Sequence, residues 1–197
     1  MQPYHYPDSA HVRMHGPLGY STCESYRDWL RDEFMFRCVY CLNREKWGRR
    51  RGAWHIEHWQ PQQEYPGRTL DYDNLVYSCS GCNLAKGTHP LPNPCECMLH
   101  NAVEVCEDGR IIPKTVDARR TIRVLGLDSP EDVEFRSQLI GIYRLKEYDY
   151  DVFLQWMGFP EDLPDLSRKA PPSNTRPEGV KNSCHARRAQ GQLPEFY

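Results

Sequence analysis

Four cysteines stand in two pairs of identical spacing, Cys38-x-x-Cys41 and Cys79-x-x-Cys82, with 37 residues between the pairs. A tight turn presents both thiolates of such a pair to one ion, and two turns complete the tetrahedral shell that Zn²⁺ prefers. A closed shell of four thiolates staples a fold and does no chemistry of its own. The interval is longer than in a short zinc ribbon, so something sizeable has to fold between the two turns. It holds His55, Glu57, His58 and Asn74, and Asn83 follows the last cysteine directly. Imidazole, carboxylate and amide groups are the ones that move protons near neutral pH and hold hard cations through oxygen.

The surrounding elements have to position those residues. Trp54-His55-Ile56-Glu57-His58-Trp59 reads as a strand ended by Pro61, and Asn74-Leu75-Val76-Tyr77-Ser78 as a second one. A helix is expected to begin in the Cys79–Lys86 segment and to stop before Gly87. Upstream, Ser21 and Glu24 have the spacing of a capping box, with Tyr26, Trp29, Leu30 and Phe34 at helical intervals to about Phe36. Downstream, residues 88–113 read as loop with a turn at Asp108-Gly109. One helix is expected near Asp117–Leu125, and another from the N-cap Ser129 and Pro130, reaching towards Met157. Residues 1–20 lack periodicity and read as an arm. From Ser167 onward large apolar residues become rare and basic ones prevail, the composition of a disordered tail.

Composition sets the class. The chain has 197 residues, 39% hydrophobic and 26% charged, as expected of a soluble globular protein. No apolar run approaches the ~18 residues of a membrane span, and the Met1-Gln2-Pro3 start lacks the basic and apolar regions of a secretion signal. The expected compartment is the reducing cytoplasm, where paired cysteines among the nine point to metal rather than to disulfides. Cys95-x-Cys97, His100 and Cys106 offer a second metal site of irregular spacing, and Cys23 and Cys184 read as free thiols. The 25 basic and 27 acidic side chains show no global preference for nucleic acid. Locally, Arg37, Arg44, Lys46, Arg49, Arg50 and Arg51 face only Glu45 and Glu57 between residues 37 and 60, a net +4. Such a stretch is either a phosphate-attracting patch or a solvated face.

Taken in order, Cys38-x-x-Cys41, His55-Ile56-Glu57-His58-Trp59-x-Pro61, Asn74-Leu75 and Cys79-x-x-Cys82-Asn83-x-x-Lys86-Gly87 resemble the zinc-bound HNH endonucleases. The layout downstream, through Asn93-Pro94-Cys95, Asp108-Gly109-Arg110-Ile111 and Thr121-Ile122-Arg123-Val124-Leu125-Gly126-Leu127, is similar to the HNH effectors of retron- and Septu-type anti-phage systems. The resemblance spans about residues 21–145.

It implies an α+β fold: a ββα-metal core stapled by a four-cysteine zinc site, with an N-terminal helix and a helical C-terminal extension. The implied divisions are an arm at 1–20, the nuclease domain at 21–113, the helical extension at 114–166 and the tail at 167–197. It also implies His58 as general base, Glu57 and Asn83 as ligands of a catalytic Mg²⁺ or Mn²⁺, and Asn74 as the tie of the loop that orients the base. The structural zinc falls to Cys38, Cys41, Cys79 and Cys82.

Glu57 stands where Asp is commoner and Asn83 where His is commoner. Neighbours in a strand face opposite sides, so Glu57 and His58 share a site only where the strand ends or bends. His55 is either a further metal ligand or a half-buried strand residue. Lys86 is either a phosphate contact or a helix-capping lysine, and Arg49, Arg50 and Arg51 are candidate phosphate contacts. The expected partner is nucleic acid, DNA above all, with a defence-system ATPase as a further partner and no membrane. The rival readings are a non-catalytic zinc module that binds nucleic acid or protein, and an effector held silent by its partner.

Overall fold

Apolar residues recur at helical and strand intervals only over short stretches, and the elements are correspondingly short. The computed structural model describes residues 3–47 and 54–197. The arm is irregular apart from β1 (Pro17–Leu18), and a 3₁₀ turn at Cys23–Tyr26 leads into α1 (Arg27–Glu33). The expected capping box is not made: Thr22 takes the N-cap position, and the Glu24 carboxylate turns to the Arg27 guanidinium. After the first cysteine turn come β2 (Trp54–His58) and β3 (Leu75–Cys79), antiparallel, with Trp54 opposite Cys79 and His58 opposite Leu75. β3 runs straight into α2 (Ser80–Lys86), which Gly87 ends at φ +48°, a conformation that favours glycine.

Residues 88–113 are more ordered than their composition suggests. They hold α3 (Pro94–Cys97), capped by the Asn93 side chain, and the hairpin of β4 (Val103–Val105) and β5 (Ile111–Pro113). The hairpin turns at Gly109, φ +85°, where a Cβ would lie 2.1 Å from the Val133 carbonyl oxygen. Arg136, buried, donates to the Gly109 and Leu127 carbonyls and fastens that turn to the following helices. These are α4 (Val116–Leu125), α5 (Pro130–Tyr143) and α6 (Tyr150–Met157). Ser129 caps α5 through the Asp132 amide. The helix does not continue to Met157; a 3₁₀ turn at Arg144–Glu147 intervenes, and the Asp149 side chain caps α6 anew.

The last thirty-one residues depart from the expected disorder. β6 (Ser173–Asn174) pairs with β1, and α7 (Glu178–Lys181) and α8 (Cys184–Ala189) follow. The tail has few apolar residues, but Cys184, Leu193 and Tyr197 pack around Phe36 and Phe159. Two of its arginines anchor it through carbonyls: Arg176 donates to the His15 oxygen and Arg188 to those of Pro160 and Glu161. Composition misses this because polar anchoring leaves no periodic signal.

Asp32 and Glu33, buried at the end of α1, join the two termini to the centre. Buried carboxylates need donors, and these draw theirs from distant segments. Glu33 accepts from His11 Nε2 at 2.8 Å, the Met14 and His15 amides at 2.8 and 3.0 Å, and the Tyr72 hydroxyl at 3.1 Å. Asp32 accepts from the fully buried His15 Nε2 at 2.8 Å and from the Cys184 amide, the first of α8, at 2.8 Å. Burial pushes the Glu33 carboxyl up, yet the His11 bond, the Arg13 charge and the Met14 amide outweigh it and hold it below the usual range.

A carboxylate held low in the folded state stabilises above its unfolded pKa of about 4.3, and that contribution disappears as pH falls through the folded value. Glu33→Gln is therefore expected to lower unfolding stability by about 2–4 kcal/mol at pH 7. Urea unfolding at descending pH should show the gap between wild type and variant closing below the unfolded value. A gap that is absent at pH 7, or that widens in acid, contradicts this role.

Candidate active site and cysteine cluster

The two cysteine turns meet. Cys38, Cys41, Cys79 and Cys82 have sulfurs all within 4.8 Å of one another, with Cys79 half-buried and the others buried. The first turn closes by the Leu42 amide on the Cys38 carbonyl at 3.0 Å and joins β3 by the Val39 amide on the Tyr77 carbonyl at 2.9 Å. Cys79 ends β3, and Cys82 lies in the first turn of α2. The Cys41 and Cys79 sulfurs are 3.7 Å apart. A tetrahedron of Zn–S bonds of ~2.3 Å has edges of ~3.8 Å, so the donor set and its spacing fit zinc. Among the described residues no second group of three or more His, Cys, Asp or Glu side chains comes together in this way. Cys95 and Cys97 are buried in the core instead, with Cys97 Sγ 3.5 Å from the Thr121 hydroxyl of α4.

The residues between the cysteine turns sit on the β2–β3 pair. β2 ends at His58, and the side chains of Glu57 and His58 leave on opposite sides. Glu57, buried, meets α2: its Oε1 accepts from Lys86 Nζ at 2.8 Å, and the same ammonium donates to the His58 carbonyl at 3.0 Å. Burial pushes the Glu57 carboxyl up, and the Lys86 contact works against that. Lys86 has no exposed surface, and in place of either reading, phosphate contact or helix-capping lysine, its ammonium makes this internal contact. Asn83 lies one turn before Lys86 on the same helix face, half-buried. His55 is half-buried on the Glu57 side of the strand, opposite Ser78.

On the other side, His58 Nε2 is 2.8 Å from the Thr69 carbonyl oxygen. A carbonyl only accepts, so Nε2 carries the hydrogen and the neutral ring keeps its lone pair on Nδ1. Gln62 approaches the same nitrogen at 3.1 Å, and Cys23 Sγ lies 3.6 Å from it while donating to the Thr69 oxygen at 3.3 Å. Burial lowers the His58 pKa; the Thr69 bond opposes this and the Lys86 charge adds to it. Asn74, fully buried, closes the loop that carries Thr69 and Gln62. Its Oδ1 accepts from the Gln60 amide at 2.9 Å, and its Nδ2 donates to the Gln60 and Arg68 carbonyls at 3.2 and 3.1 Å.

Sequence reasoning misses Cys23, Thr69 and the internal role of Lys86. Cys23 lies 35 residues before His58 and carries no motif. The Lys86 contact has a readable cue in its three-residue spacing from Asn83, which puts both on the helix face that meets β2. The basic stretch is also less available than its charge suggests. Arg44 is 1% exposed, its guanidinium between the rings of Trp47 and Tyr197 at 5.1 and 4.4 Å, and Lys46 donates to the Leu154 carbonyl. Arg49, Arg50 and Arg51 lie outside the described residues.

Cys38→Ser is expected to lower both zinc content and unfolding stability, because metal binding and folding are coupled at such sites. Zinc measured by mass spectrometry, alongside a thermal melt, checks it. A variant that stays zinc-loaded with an unchanged melt contradicts a four-thiolate site.

Comparison with known proteins agrees with this arrangement. Residues 38–89 match the family model of the HNH endonucleases. The chain is also 30% identical over 116 residues to Septu protein PtuB of Bacillus thuringiensis, an alignment covering 53% of this chain and 42% of the relative. The chain thus matches less than half the length of that relative. The cysteine turns, the β2–β3 pair and α2 all fall inside the segment that matches the HNH endonuclease model.

Proposed function

We propose that the chain is a metal-dependent endonuclease that hydrolyses phosphodiester bonds of DNA, with β2, β3 and α2 as a ββα-metal core. The observation that carries the reading is the setting of His58: oriented by the Thr69 carbonyl through Nε2, its pKa pushed down by burial, and one residue from the carboxylate of Glu57. Nδ1 is the atom that takes the proton from an attacking water. Asn74 acts at a distance, fixing the loop whose Thr69 carbonyl sets the ring. Glu57 and Asn83 offer a carboxylate and an amide oxygen, the hard donors that suit Mg²⁺ or Mn²⁺, and leave positions open for phosphate oxygens and water. A cation held there supplies charge stabilisation to the scissile phosphate and the departing oxygen. His55 shares the strand face of Glu57 and is a further candidate ligand. The zinc at the four cysteines holds the framework.

The likeness to a Septu protein supports a role in anti-phage defence, with a partner ATPase from the same system. The compartment that goes with this reading is the reducing cytoplasm, where paired cysteines serve metal rather than disulfides. No helix is long and apolar enough to cross a membrane. The rival, a zinc module that binds without cutting, is disfavoured by the coincidence of His58, Glu57, Asn74 and Asn83 around one strand pair.

His58→Ala is expected to reduce Mg²⁺- or Mn²⁺-dependent nicking of supercoiled plasmid by about 10²–10⁴-fold, with zinc content and melting temperature kept. The partner is added if the chain alone is silent. Nicking that survives the substitution unchanged removes His58 from the chemistry.

A further inference from the structure

Lysine is almost never fully buried unless it is paired, and Lys86 is both. Its two contacts, Glu57 Oε1 and the His58 carbonyl, tie the last residue of α2 to the last two of β2. The helix that carries Cys82 and Asn83 is thereby locked to the strand end that carries Glu57 and His58. Among the described residues Lys86 pairs with no carboxylate other than Glu57.

The charge balance has a consequence for cation binding. Among the proposed ligands and their direct partner, Glu57 contributes one negative charge, Lys86 cancels it, and the Asn83 amide contributes none. A divalent cation brought to such a site gains from the carboxylate and loses to the ammonium at similar distance. The attraction it lacks has to come from a ligand with its own negative charge. Resting on the metal-dependent reading above, we propose that Lys86 is a positioning residue that makes divalent-cation binding at Glu57 depend on a bound phosphodiester. The ammonium holds the carboxylate in place through Oε1 and withholds the net charge that would capture a cation alone. A nucleic-acid phosphate supplies that charge, so cation and substrate bind together. Free enzyme is thus kept without its catalytic cation until a strand is seated.

The test is a Mn²⁺ titration followed by electron paramagnetic resonance. It uses the zinc-loaded full chain, with and without a short DNA duplex. Methylene groups replace the bridging 3′ oxygens of that duplex, which keeps the phosphate charge and blocks cleavage. Glu57→Gln under the same conditions gives the background from other sites and from the DNA. Wild type is expected to bind Mn²⁺ at Glu57 about tenfold or more tightly with DNA than without it. Lys86→Met is expected to bind Mn²⁺ without DNA about tenfold more tightly than wild type and to lose most of the gain from DNA. Lys86→Arg keeps the charge and should keep the wild-type pattern.

Equal wild-type affinities with and without DNA overturn the proposal, and this comparison stands even where Lys86→Met fails to fold. An unchanged affinity in folded Lys86→Met overturns it as well. If Glu57→Gln leaves every titration unaltered, Glu57 is not the cation's ligand. The metal-site assignment under the proposed function then fails, and this inference with it. Mn²⁺ that binds through Glu57 but ignores both DNA and Lys86 defeats the inference alone.

Discussion

Four sulfurs gathered within 4.8 Å are the constraint on which the remaining geometry depends. Thiols are poor hydrogen-bond partners for one another, so a cluster of this kind is held by what it binds, and its donor set fits zinc. Once the sulfurs are fixed, so is much else. Cys79 ends β3, Cys82 lies in the first turn of α2, and the first cysteine turn lies along β3 through the Val39 amide. β2 has little freedom left, because its whole length is paired with β3, from Trp54 opposite Cys79 to His58 opposite Leu75. A two-stranded ribbon is marginal on its own, and here the cysteine cluster lies at one end and a helix packs on one face.

The strand pair then separates two kinds of chemistry by its own alternation. Glu57 faces α2 and the ammonium of Lys86; His58 faces the loop that Asn74 ties. In the proposed reading the proton-accepting group and the cation ligand approach the phosphate from two sides of one strand end. That arrangement keeps the imidazole away from a carboxylate that would raise its pKa, and burial lowers it further. The termini are brought in by a different device, the adjacent carboxylates of Asp32 and Glu33, which hold the arm and α8 by hydrogen bonds rather than by apolar area.

Local patterns are readable where local forces decide. The two cysteine spacings, the strand at Trp54, the stop at Gly87 and the Ser129-Pro130 helix start each depend on residues within a few positions of one another. What cannot be read depends on competition between partners or on partners far apart in sequence. Glu24 prefers the Arg27 guanidinium to the capping box its spacing offers. The tail orders because Asp32 receives the Cys184 amide across 152 positions, a contact that composition cannot register. Lysine is generally a surface cation, and only the approach of α2 to β2 turns Lys86 inward. The basic stretch before β2 stands out by charge alone, while Arg44 is engaged with Trp47, Tyr197 and the Met157 carbonyl.

In the proposed reading two metals divide the labour, one held by sulfur to keep the fold and one held by oxygen to do the chemistry. The most direct measurement is plasmid cleavage by protein that retains zinc but has been stripped of hard cations, with Mg²⁺ then restored. Where a partner ATPase is required, it is present throughout. The account predicts a folded protein that does not cut until Mg²⁺ returns. Cleavage by the zinc form alone, or none with Mg²⁺ or Mn²⁺ under any of these conditions, contradicts it.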